Sequence, residues 1–500
     1  MSTCSAPTSR GTKATSNSTT SPTVACCLPG DRLSGCFRQL LRCPRQPREK
    51  RAQLLRARAA SNCRPLLKTS AFLFSFALGS CLFSQNAAAE HLLSKDGDWT
   101  VYSDGRVGAF VSYVRGDAYP NAPVDPVTQA PEYTVKGGGM LAEASRPATS
   151  GTGQAPQGTI ENMRIRSGMI GNTLGIGVRD SISERTSVTG YIQFWAWVES
   201  LDQQKDQINS ADVRQGYVKL EGVWGSLLVG RSSELFVRGN TEIDILYGHG
   251  YGVGYPDAVD SNGPTQGQSG FGLLGSGFAA GVVYATPTFG GLQLTVGAFD
   301  PAQLEEAGTR TKWVRPEAEL TFERSIGEVA RFVLFGSGTY QKVYRTGAPD
   351  SDSVTAKGVG YGGRLELGPL RLGVAGYYGY GLGLYYAMEV SDASVDQEGQ
   401  LRRSDGYYAQ SMVVLGRVAL SAGWGITQVF MNADDHVVDP GTGYLLNSVI
   451  KYQQGFSCGA VYHVKPWLHL DVDLFRANFA WYLGQKQVDY IANSGMLFTW

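Results

Sequence analysis

The five histidines of the 500-residue chain are the side chains best suited to acid–base chemistry near neutral pH. A hydrolytic centre would need one of them beside a serine or a carboxylate. The five are His91, His249, His436, His463 and His469; His463 and His469 flank a short Lys-Pro turn, while His249 and His436 lie in loops without a convincing partner. The sequence also lacks a phosphate-binding loop, a metal-ligand cluster and a dinucleotide-binding fingerprint in a strand–helix context. We therefore predict no catalytic centre, no metal and no cofactor.

Charge and cysteine content both change at about residue 90. Residues 1–89 hold 13 of the 44 Lys and Arg but only two of the 44 acidic residues, Asp31 and Glu49. The remainder has 31 basic and 42 acidic residues, a net charge of −11. Because a nucleic-acid-binding surface is basic, this balance argues against a nucleic-acid partner. Only Cys458 follows residue 90, so the rest of the chain forms no internal disulfide.

Residues 64–89 have the three parts of a secretory signal peptide. Two basic residues precede an apolar run over residues 71–83, and three alanines precede Glu90. This run is too short to cross a bilayer as a helix, and no later stretch approaches the roughly 20 apolar residues required. If the protein is in a membrane, we expect it to cross as strands.

We expect three regions: residues 1–63, an extension that is untranslated or removed; residues 64–89, a cleaved signal peptide; and residues 90–500, the exported domain. Initiation at Leu66 from an alternative codon would give a signal peptide of ordinary length. An alternative interpretation takes the segment ending at Cys81 as a lipoprotein cleavage site, but this cysteine lies inside the apolar run.

From residue 99 onward apolar and polar residues alternate, and the chain is rich in glycine (64) and tyrosine (25). Alternation is the pattern of a strand with one apolar face. The clearest example interleaves Leu468, Leu470, Val472 and Leu474 with His469, Asp471, Asp473 and Phe475. Residues 417–431 repeat the pattern, with small residues on the second face. Such segments suit a soluble sandwich or a membrane barrel, and the number of strands has to distinguish them.

The pattern predicts sixteen strands with short and long connections in alternation. The predicted strands are residues 99–115, 162–179, 186–198, 210–221, 225–235, 279–286, 292–300, 312–323, 330–345, 355–368, 370–385, 403–415, 417–431, 445–463, 467–482 and 488–500. An even number is typical of a closed bacterial barrel. We therefore predict an all-β fold, a 16-stranded antiparallel transmembrane β-barrel. The eighth strand is the least secure, because Pro316 lies within it.

Several motifs, taken in order, resemble those of the Gram-negative general porins. They are Lys95-Asp96-Gly97 with Gly105-Arg106-Val107-Gly108, Thr189-Gly190-Tyr191 ending in Trp195, the block from Val213 to Glu221 with Gly225-Ser226 and Gly230-Arg231, Gly281-Val282-Val283-Tyr284, and Phe289-Gly290-Gly291-Leu292. The resemblance is patchy over residues 95–500 and depends on motif order. It implies a homotrimeric outer-membrane channel for small hydrophilic solutes and ions.

The resemblance also implies that the third long connection, residues 236–278, folds into the lumen. Asp244 matches one acidic position of that loop in the family, whereas Gly248 occupies the neighbouring one. Three further acids are candidates to compensate and complete the acidic side of a constriction: Glu242, Asp257 and Asp260. A charged constriction would select solutes by size and charge. The acidic balance of residues 90–500 predicts a mild cation preference.

The basic side of the constriction would lie on the barrel wall. Arg214 matches a family arginine, Arg106 matches a basic position more loosely, and Thr173 and Gly277 stand at two other basic positions. Arg164 and Arg166, two residues apart on one strand face, are candidates to replace them. Simple alternation from Arg214 places three other polar residues on the outer face, which would suit a subunit interface: Gln215, Tyr217 and Lys219.

The chain ends in an alternating strand with Met496, Phe498 and Trp500 on one face. A terminal aromatic residue in this setting resembles the signal by which outer-membrane barrels are recognised by the barrel-assembly machinery.

Two other functions stay open. A barrel enzyme would need a histidine centre at the rim. A sugar-specific channel would need aromatic residues along the lumen, and five tyrosines are candidates, although tyrosine more often marks the membrane interface: Tyr377, Tyr378, Tyr380, Tyr385 and Tyr386. The acidic balance does not favour a phosphate channel.

Overall fold

The computed structural model describes residues 90–120, 134–139, 159–167, 171–196, 212–246, 267–304, 309–327, 329–345, 353–388, 393–396, 398–438, 440, 445 and 447–500. Nearly all regular structure in these residues is β-strand. The strands are β1 (His91–Asp96), β2 (Trp99–Asp117), β3 (Thr134–Lys136), β4 (Thr159–Arg166), β5 (Asn172–Ser183), β6 (Thr186–Ala196), β7 (Asp212–Gly222), β8 (Gly225–Ser233), β9 (Phe278–Ala285), β10 (Leu292–Phe299), β11 (Thr309–Arg310), β12 (Arg315–Ile326), β13 (Ala330–Arg345), β14 (Ser353–Leu367), β15 (Leu370–Tyr380), β16 (Arg403–Leu415), β17 (Val418–Phe430), β18 (Asn447–Lys465), β19 (Leu468–Trp481) and β20 (Lys486–Thr499).

Within the described residues, two short helical segments accompany the strands: the helix α1 (Arg238–Ile243) and a 3-10 turn at Asp434–His436. No helix among the described residues is long and apolar enough to cross a membrane.

The strands form a closed antiparallel barrel of 16 strands. β4 and β5 both pair with β2 and act as one barrel strand that is interrupted after Arg166. From β5 onward each barrel strand pairs with the next, and β20 returns to pair with β2. β1, β3 and β11 are short additions to this ring. The predicted fold class and strand number are confirmed.

One edge of β2 is shared by the two ends of the described chain. β20 pairs with β2 from Gly116 down to Arg106, and Trp500 exchanges backbone hydrogen bonds with Gly105 at 3.0 and 3.1 Å. β1 continues along the same edge, with His91 opposite Ser103. The ring is therefore closed at a seam that uses both ends.

Connections alternate in length around the ring. At one end of the barrel, which we call the short-turn end, the strands are joined by two-residue turns such as Gly368-Pro369 and Pro466-Trp467. The opposite end carries the longer connections, and we call it the long-connection end. Pro316 is the second residue of β12 and faces Ala298 of β10, while pairing with β13 begins only at Glu317. The proline therefore removes no hydrogen bond from the ladder with β13.

The two faces of the wall differ in polarity. Along β19, Leu470, Val472 and Leu474 point outward and are 42–54% exposed, whereas Asp471 and Asp473 point inward and are 1% exposed. Exposed leucine and valine on the outside with aspartate on the inside is the reverse of a soluble protein. This is the arrangement that a barrel in a lipid bilayer requires.

A β-bulge in β7 reverses part of the predicted facing. Gln193 of β6 pairs with Gln215, but the next residue, Phe194, pairs with Val213, so Arg214 is the extra residue. Beyond the bulge Val218 is 54% exposed and Lys219 only 9%. The prediction that Gln215, Tyr217 and Lys219 face outward is therefore wrong, and they provide no support for a subunit interface.

Candidate functional site

The connection between β8 and β9 folds into the barrel. Its described parts are residues 234–246 and 267–277, and most of their side chains are buried. The apolar members are 0–1% exposed: Leu235, Phe236, Val237, Ile243, Ile245, Leu246, Phe271, Leu273 and Leu274. Burial of this many apolar groups against the inner wall stabilises the inward position. We call this segment the inward loop.

The entry of the loop is fixed by one carboxylate on the wall. Glu317 of β12 accepts hydrogen bonds from the backbone N–H groups of Leu235 and Phe236, at 2.8 and 2.9 Å. Its other oxygen lies 3.0 Å from Nε of Arg315, and Arg315 also forms an ion pair with Glu234. Charge-assisted bonds to two successive amides fix the direction of the chain as it leaves the strand.

Val237, the next residue, has a left-handed backbone conformation with φ of 53°. A β-branched residue rarely adopts this conformation, and such strain persists only where the surroundings enforce it. The N–H of Val237 donates to Oγ of Ser337 at 3.0 Å. Gly360 of β14 provides the space, because a Cβ there would lie 2.8 Å from Cγ1 of Val237. The loop is held tightly enough at this point to keep a strained residue.

Helix α1 is attached to the wall by ion pairs. Arg238 forms an ion pair with Glu319 of β12, and its Nε lies 3.4 Å from Oε1 of Glu242 one turn further on. Nη1 of Arg364 on β14 donates to the backbone oxygen of Glu242 at 2.8 Å. Burial raises the pKa of Glu242 to about 8; the charge of Glu319 acts in the same direction, and those of Arg238 and Arg364 oppose it.

Asp244 joins the two halves of the loop to each other and to β16 of the barrel wall. Its Oδ1 accepts from Nε2 of Gln410 at 2.7 Å and from the N–H of Leu246 at 2.8 Å. Its Oδ2 accepts from the N–H of Gln268 at 3.1 Å, and Gln410 in turn accepts from the N–H of Ile245 at 2.9 Å. Asp244 is completely buried. These contacts give it a structural role in closing the loop.

The returning half of the loop is bonded to the strands that follow. Gln268 donates to Oγ of Ser457 on β18 at 2.8 Å, and the N–H of Gly272 donates to Oγ1 of Thr427 on β17 at 2.9 Å. The ring of Phe271 packs at 5.0 Å from Phe475 on β19. From β12 to β19 the wall thus holds the loop, and we call these strands the loop-bearing wall.

The candidate arginines lie on the other part of the ring, on β2, β4 and β7. We call β20, β2 and β4–β8 the opposite wall. In β4, Met163 and Ile165 are 61% and 64% exposed, so Arg164 and Arg166 point inward. Arg166 is buried, while Arg164 and Arg106 are half-buried. The prediction that Arg164 and Arg166 share one face is confirmed.

Arg214 occupies the bulge of β7 and is held by neighbours on its own wall. Its Nε lies 2.8 Å from Oδ2 of Asp212. Its guanidinium lies 5.0 Å from the ring centre of Trp195 and 5.9 Å from that of Phe278. Cation–π contacts of this kind orient the group and keep its charge at the lumen side of the wall.

Arg214 and Asp244, expected to form a short-range pair, are each held by partners on a different part of the ring. With β4 and β5 counted as one, β7 and β16 lie on opposite sides of the 16-strand ring. Asp244 is bonded to Gln410 of β16, whereas Arg214 is paired with Asp212 of β7. The inward loop reaches β16 and places the buried Asp244 there. Asp257 and Asp260 lie outside the described residues.

Sequence reasoning missed the residues that hold the loop: Arg315, Glu317 and Glu319. They alternate along β12 and therefore share the inward face. Three charged residues at alternate positions of one strand are a signal for a polar, partnered face. Pro316 lies between the first two and interrupts the strand pattern at this point.

The tyrosine candidates are divided between the two faces. Tyr378 is 40% exposed and points outward, while Tyr377 and Tyr385 are buried. The hydroxyl of Tyr385 donates to Gln453 at 2.8 Å, and that of Tyr377 to Thr427 at 3.3 Å. The two buried rings belong to the packing around the loop.

The rings of His463 and His469 contact each other, with centres 4.5 Å apart, near the short-turn end. Nε2 of His469 lies 3.1 Å from the backbone oxygen of Pro466. This geometry is that of a packed pair beside a turn. Within the described residues there is no cluster of three or more side chains able to hold a metal ion.

The terminal strand alternates as predicted. Met496 and Phe498 are 55% and 42% exposed on the outer face, and Leu497 between them is buried. Phe498 contacts the ring of Trp467 at 5.5 Å and that of Trp500 at 5.9 Å. The three rings form an aromatic group on the outside of the seam.

A closed 16-strand barrel that is apolar outside and polar inside is the architecture of a transmembrane β-barrel. The sequence profile of the Gram-negative porins matches residues 75–466. The chain belongs to this family, and it is a channel for passive diffusion across the outer membrane.

A solved structure shares this fold at low sequence identity. The outer membrane channel DcaP of Acinetobacter baumannii is 14% identical, with 82% of this chain and 100% of that chain covered and a TM-score of 0.55. An anion-selective porin from Comamonas acidovorans is 11% identical, covering 80% and 100%, with a TM-score of 0.49. The search among curated proteins found no match.

Proposed function

We propose that this porin is a general, size-limited channel in which the inward loop narrows the lumen from the loop-bearing wall. Small hydrophilic solutes and ions then pass along the opposite wall, beside Arg106, Arg164 and Arg214, which keep part of their surface exposed, while Arg166 is buried in the same wall. The observation that supports this proposal is the direction of the described loop contacts. These hydrogen bonds begin with the one accepted by Glu317 on β12 and end with the one accepted by Ser457 on β18. All of them hold the loop to strands from β12 to β18.

The test is conductance of the purified, assembled protein in planar bilayers, together with liposome swelling in uncharged solutes of graded size. We expect a steady conductance and a swelling rate that falls smoothly with solute size. A protein that assembles and conducts no ions would contradict the proposal. A sharp preference for one sugar among solutes of equal size would instead favour a substrate-specific channel.

Two other features of the proposal concern maturation and assembly. We infer that the signal peptide is cleaved before Glu90, whose carboxylate forms an ion pair at 2.9 Å with Arg179 of the barrel. We also infer a homotrimer, a property of the family. Mass spectrometry of the mature protein tests the first inference, and gel mobility before and after heating tests the second.

We propose that Trp500, Phe498 and Met496 act as the assembly signal. Their placement on the outer face at the seam leaves them accessible while the barrel is still open. Trp500→Asp should lower the amount of assembled protein far more than Trp467→Asp, which changes a neighbouring aromatic residue in a turn. Equal assembly of the two variants would contradict this role.

A further inference from the structure

The inner face of β19 carries two aspartates below the region that contacts the loop. The ring of Phe271 packs on Phe475. Toward the short-turn end the next two inward residues are Asp473 and Asp471, and each is 1% exposed. Since alternate residues of a strand lie on one face, the two carboxylates are neighbours on the same wall.

Asp471 is the unusual member of the pair. Neither of its oxygens accepts a hydrogen bond from a protein group. The charged groups that act on it are the carboxylate of Asp473 and the guanidinium of Arg106. Gly495 stands opposite Asp471 on β20, and the ring of Phe110 fills the space at this glycine. An apolar ring beside the carboxylate lowers the local dielectric.

Asp473 adds an amide group to the site. Its Oδ2 accepts a hydrogen bond from Nδ2 of Asn493 at 3.2 Å, and the two residues are directly paired across β19 and β20. Two carboxylates and one carboxamide are thereby collected on adjacent strands. All three side chains are at least 98% buried.

Burying a carboxylate is unfavourable unless it is paired, and the two charges that act on Asp471, those of Asp473 and Arg106, oppose each other, so a further cation would stabilise the pair of carboxylates. Oxygen ligands of this type suit hard cations. A group of three or more acids or histidines, which a divalent metal site would be expected to use, is absent from the described residues. Two acids with one amide suit a weaker, exchangeable site.

We propose that Asp471 and Asp473, assisted by Asn493, bind a monovalent inorganic cation on the inner wall. This proposal rests on the proposed function as an open channel. The site lies on the wall, apart from the inward loop that carries Asp244. The site raises the local concentration of cations and offsets the positive charge of the arginines on β2 and β4. In this way it sets the ion preference of the channel.

The experiment measures the reversal potential of the assembled channel in a KCl gradient at pH 7. Asp471→Asn should lower the permeability ratio of K⁺ to Cl⁻ by about twofold, because one fixed charge of the site is removed. Asp471→Glu keeps the charge and should restore most of the preference. The matched control is Asp405→Asn, which makes the same change on the outward side of β16.

The outcomes separate this proposal from the function on which it rests. If Asp471→Asn and Asp405→Asn give the same reversal potential as the unmodified channel, the site does not bind a cation at pH 7 and a proton is held there instead. If Asp471→Asn fails to assemble, Asp473→Asn and Asn493→Ala are measured, and unchanged selectivity in both overturns the proposal. An unmodified channel that conducts no ions would overturn the proposed function instead.

Discussion

The two walls of the barrel use charged residues in different ways. On the loop-bearing wall, Arg315, Glu317 and Glu319 are buried and are consumed by contacts with the inward loop. On the opposite wall, Arg164 and Arg214 keep part of their surface exposed. The buried charges of the first set stabilise the position of the loop strongly, because water cannot replace the partner of a buried charge. Exposure of the second set is what its proposed action on solutes requires.

The largest expected effect is on the loop-bearing wall. Glu317→Ala removes the acceptor of two backbone amides and leaves Arg315 buried with one partner fewer. Breaking a buried pair of this type should lower the free energy of unfolding by about 3 kcal/mol. Urea unfolding in detergent, followed by the gel mobility of the folded barrel, measures the change.

The control for this prediction lies on the same face of the same strand. Glu323 pairs with Arg331 at 2.9 Å, but the two side chains are 54% and 39% exposed. Glu323→Ala should therefore change the free energy of unfolding by less than about 1 kcal/mol. An equal loss of unfolding free energy in Glu317→Ala and Glu323→Ala would contradict the distinction between buried and exposed ion pairs.

The next effect is expected at the mouth above the loop-bearing wall. Arg402 binds both oxygens of Asp435, with contacts of 2.7 and 2.6 Å, and both side chains are 1% exposed. Burial alone would raise the pKa of Asp435, but hydrogen bonds from Arg402 and Asn432 and the Arg402 charge outweigh it, so the pKa lies below 3.8. The contribution to stability is then present above pH 3.8 and is lost as the pH falls through the lowered value.

Limited proteolysis of the connection between β17 and β18 as a function of pH tests this prediction. The unmodified protein should resist cleavage at neutral pH and become susceptible only under strongly acidic conditions. Asp435→Asn should be susceptible at every pH, since the amide lacks the charge that Arg402 binds. Equal resistance of the two proteins at pH 7 would contradict the prediction.

A smaller effect is expected for the opposite wall. Arg214→Ala removes a positive charge beside the lumen and should raise the permeability of cations relative to anions by about twofold. Stability should change little, because the side chain is partly exposed and its partner Asp212 is 44% exposed. Arg115→Ala, on the outward side of β2, is the matched control and should leave the reversal potential unchanged.

The last effect concerns the pH dependence of stability and is expected for Glu242→Gln. With its pKa raised to about 8, the folded protein holds a proton on Glu242 that the unfolded chain releases near pH 4.5. Stability should therefore fall as the pH rises from about 4.5 to about 8 and then level off, the opposite sign to Asp435. The variant cannot lose this proton, so its unfolding free energy should vary less over that range. Identical pH profiles would exclude a role for Glu242.

The sixteen strands could be predicted because each depends on a local pattern. The alternation of residues 468–475, for example, sets both the strand and its faces without knowledge of its neighbours. The facing of β7 was less accessible, because a single extra residue reverses it. The adjacent polar pair Arg214 and Gln215, where alternation shifts by one, was the available signal.

The site was harder to predict than the fold because its contacts join distant parts of the chain. The position of Asp244 in the loop indicates a role for it, but its partner Gln410 belongs to a strand far along the sequence. A neutral glutamine in an alternating strand carries no sign of such a role. The same holds for Ser337 and the strained backbone of Val237. Sequence patterns could indicate a charged loop and a charged wall, but not which groups would meet.

The seam on β2 has a consequence for the order of folding. Arg106 pairs with Thr499 and His91 pairs with Ser103, so one edge of β2 is completed by strands from both ends of the described chain. Arg106 and Thr499 are far apart in the sequence, and contacts at such a separation are slow to form. During synthesis and export this edge of β2 stays unpaired until β20 has been made and pairs with it. An unpaired strand edge is prone to aggregation. Closure of the ring is therefore a late step, and the chain needs protection from other unfolded chains until that step is complete.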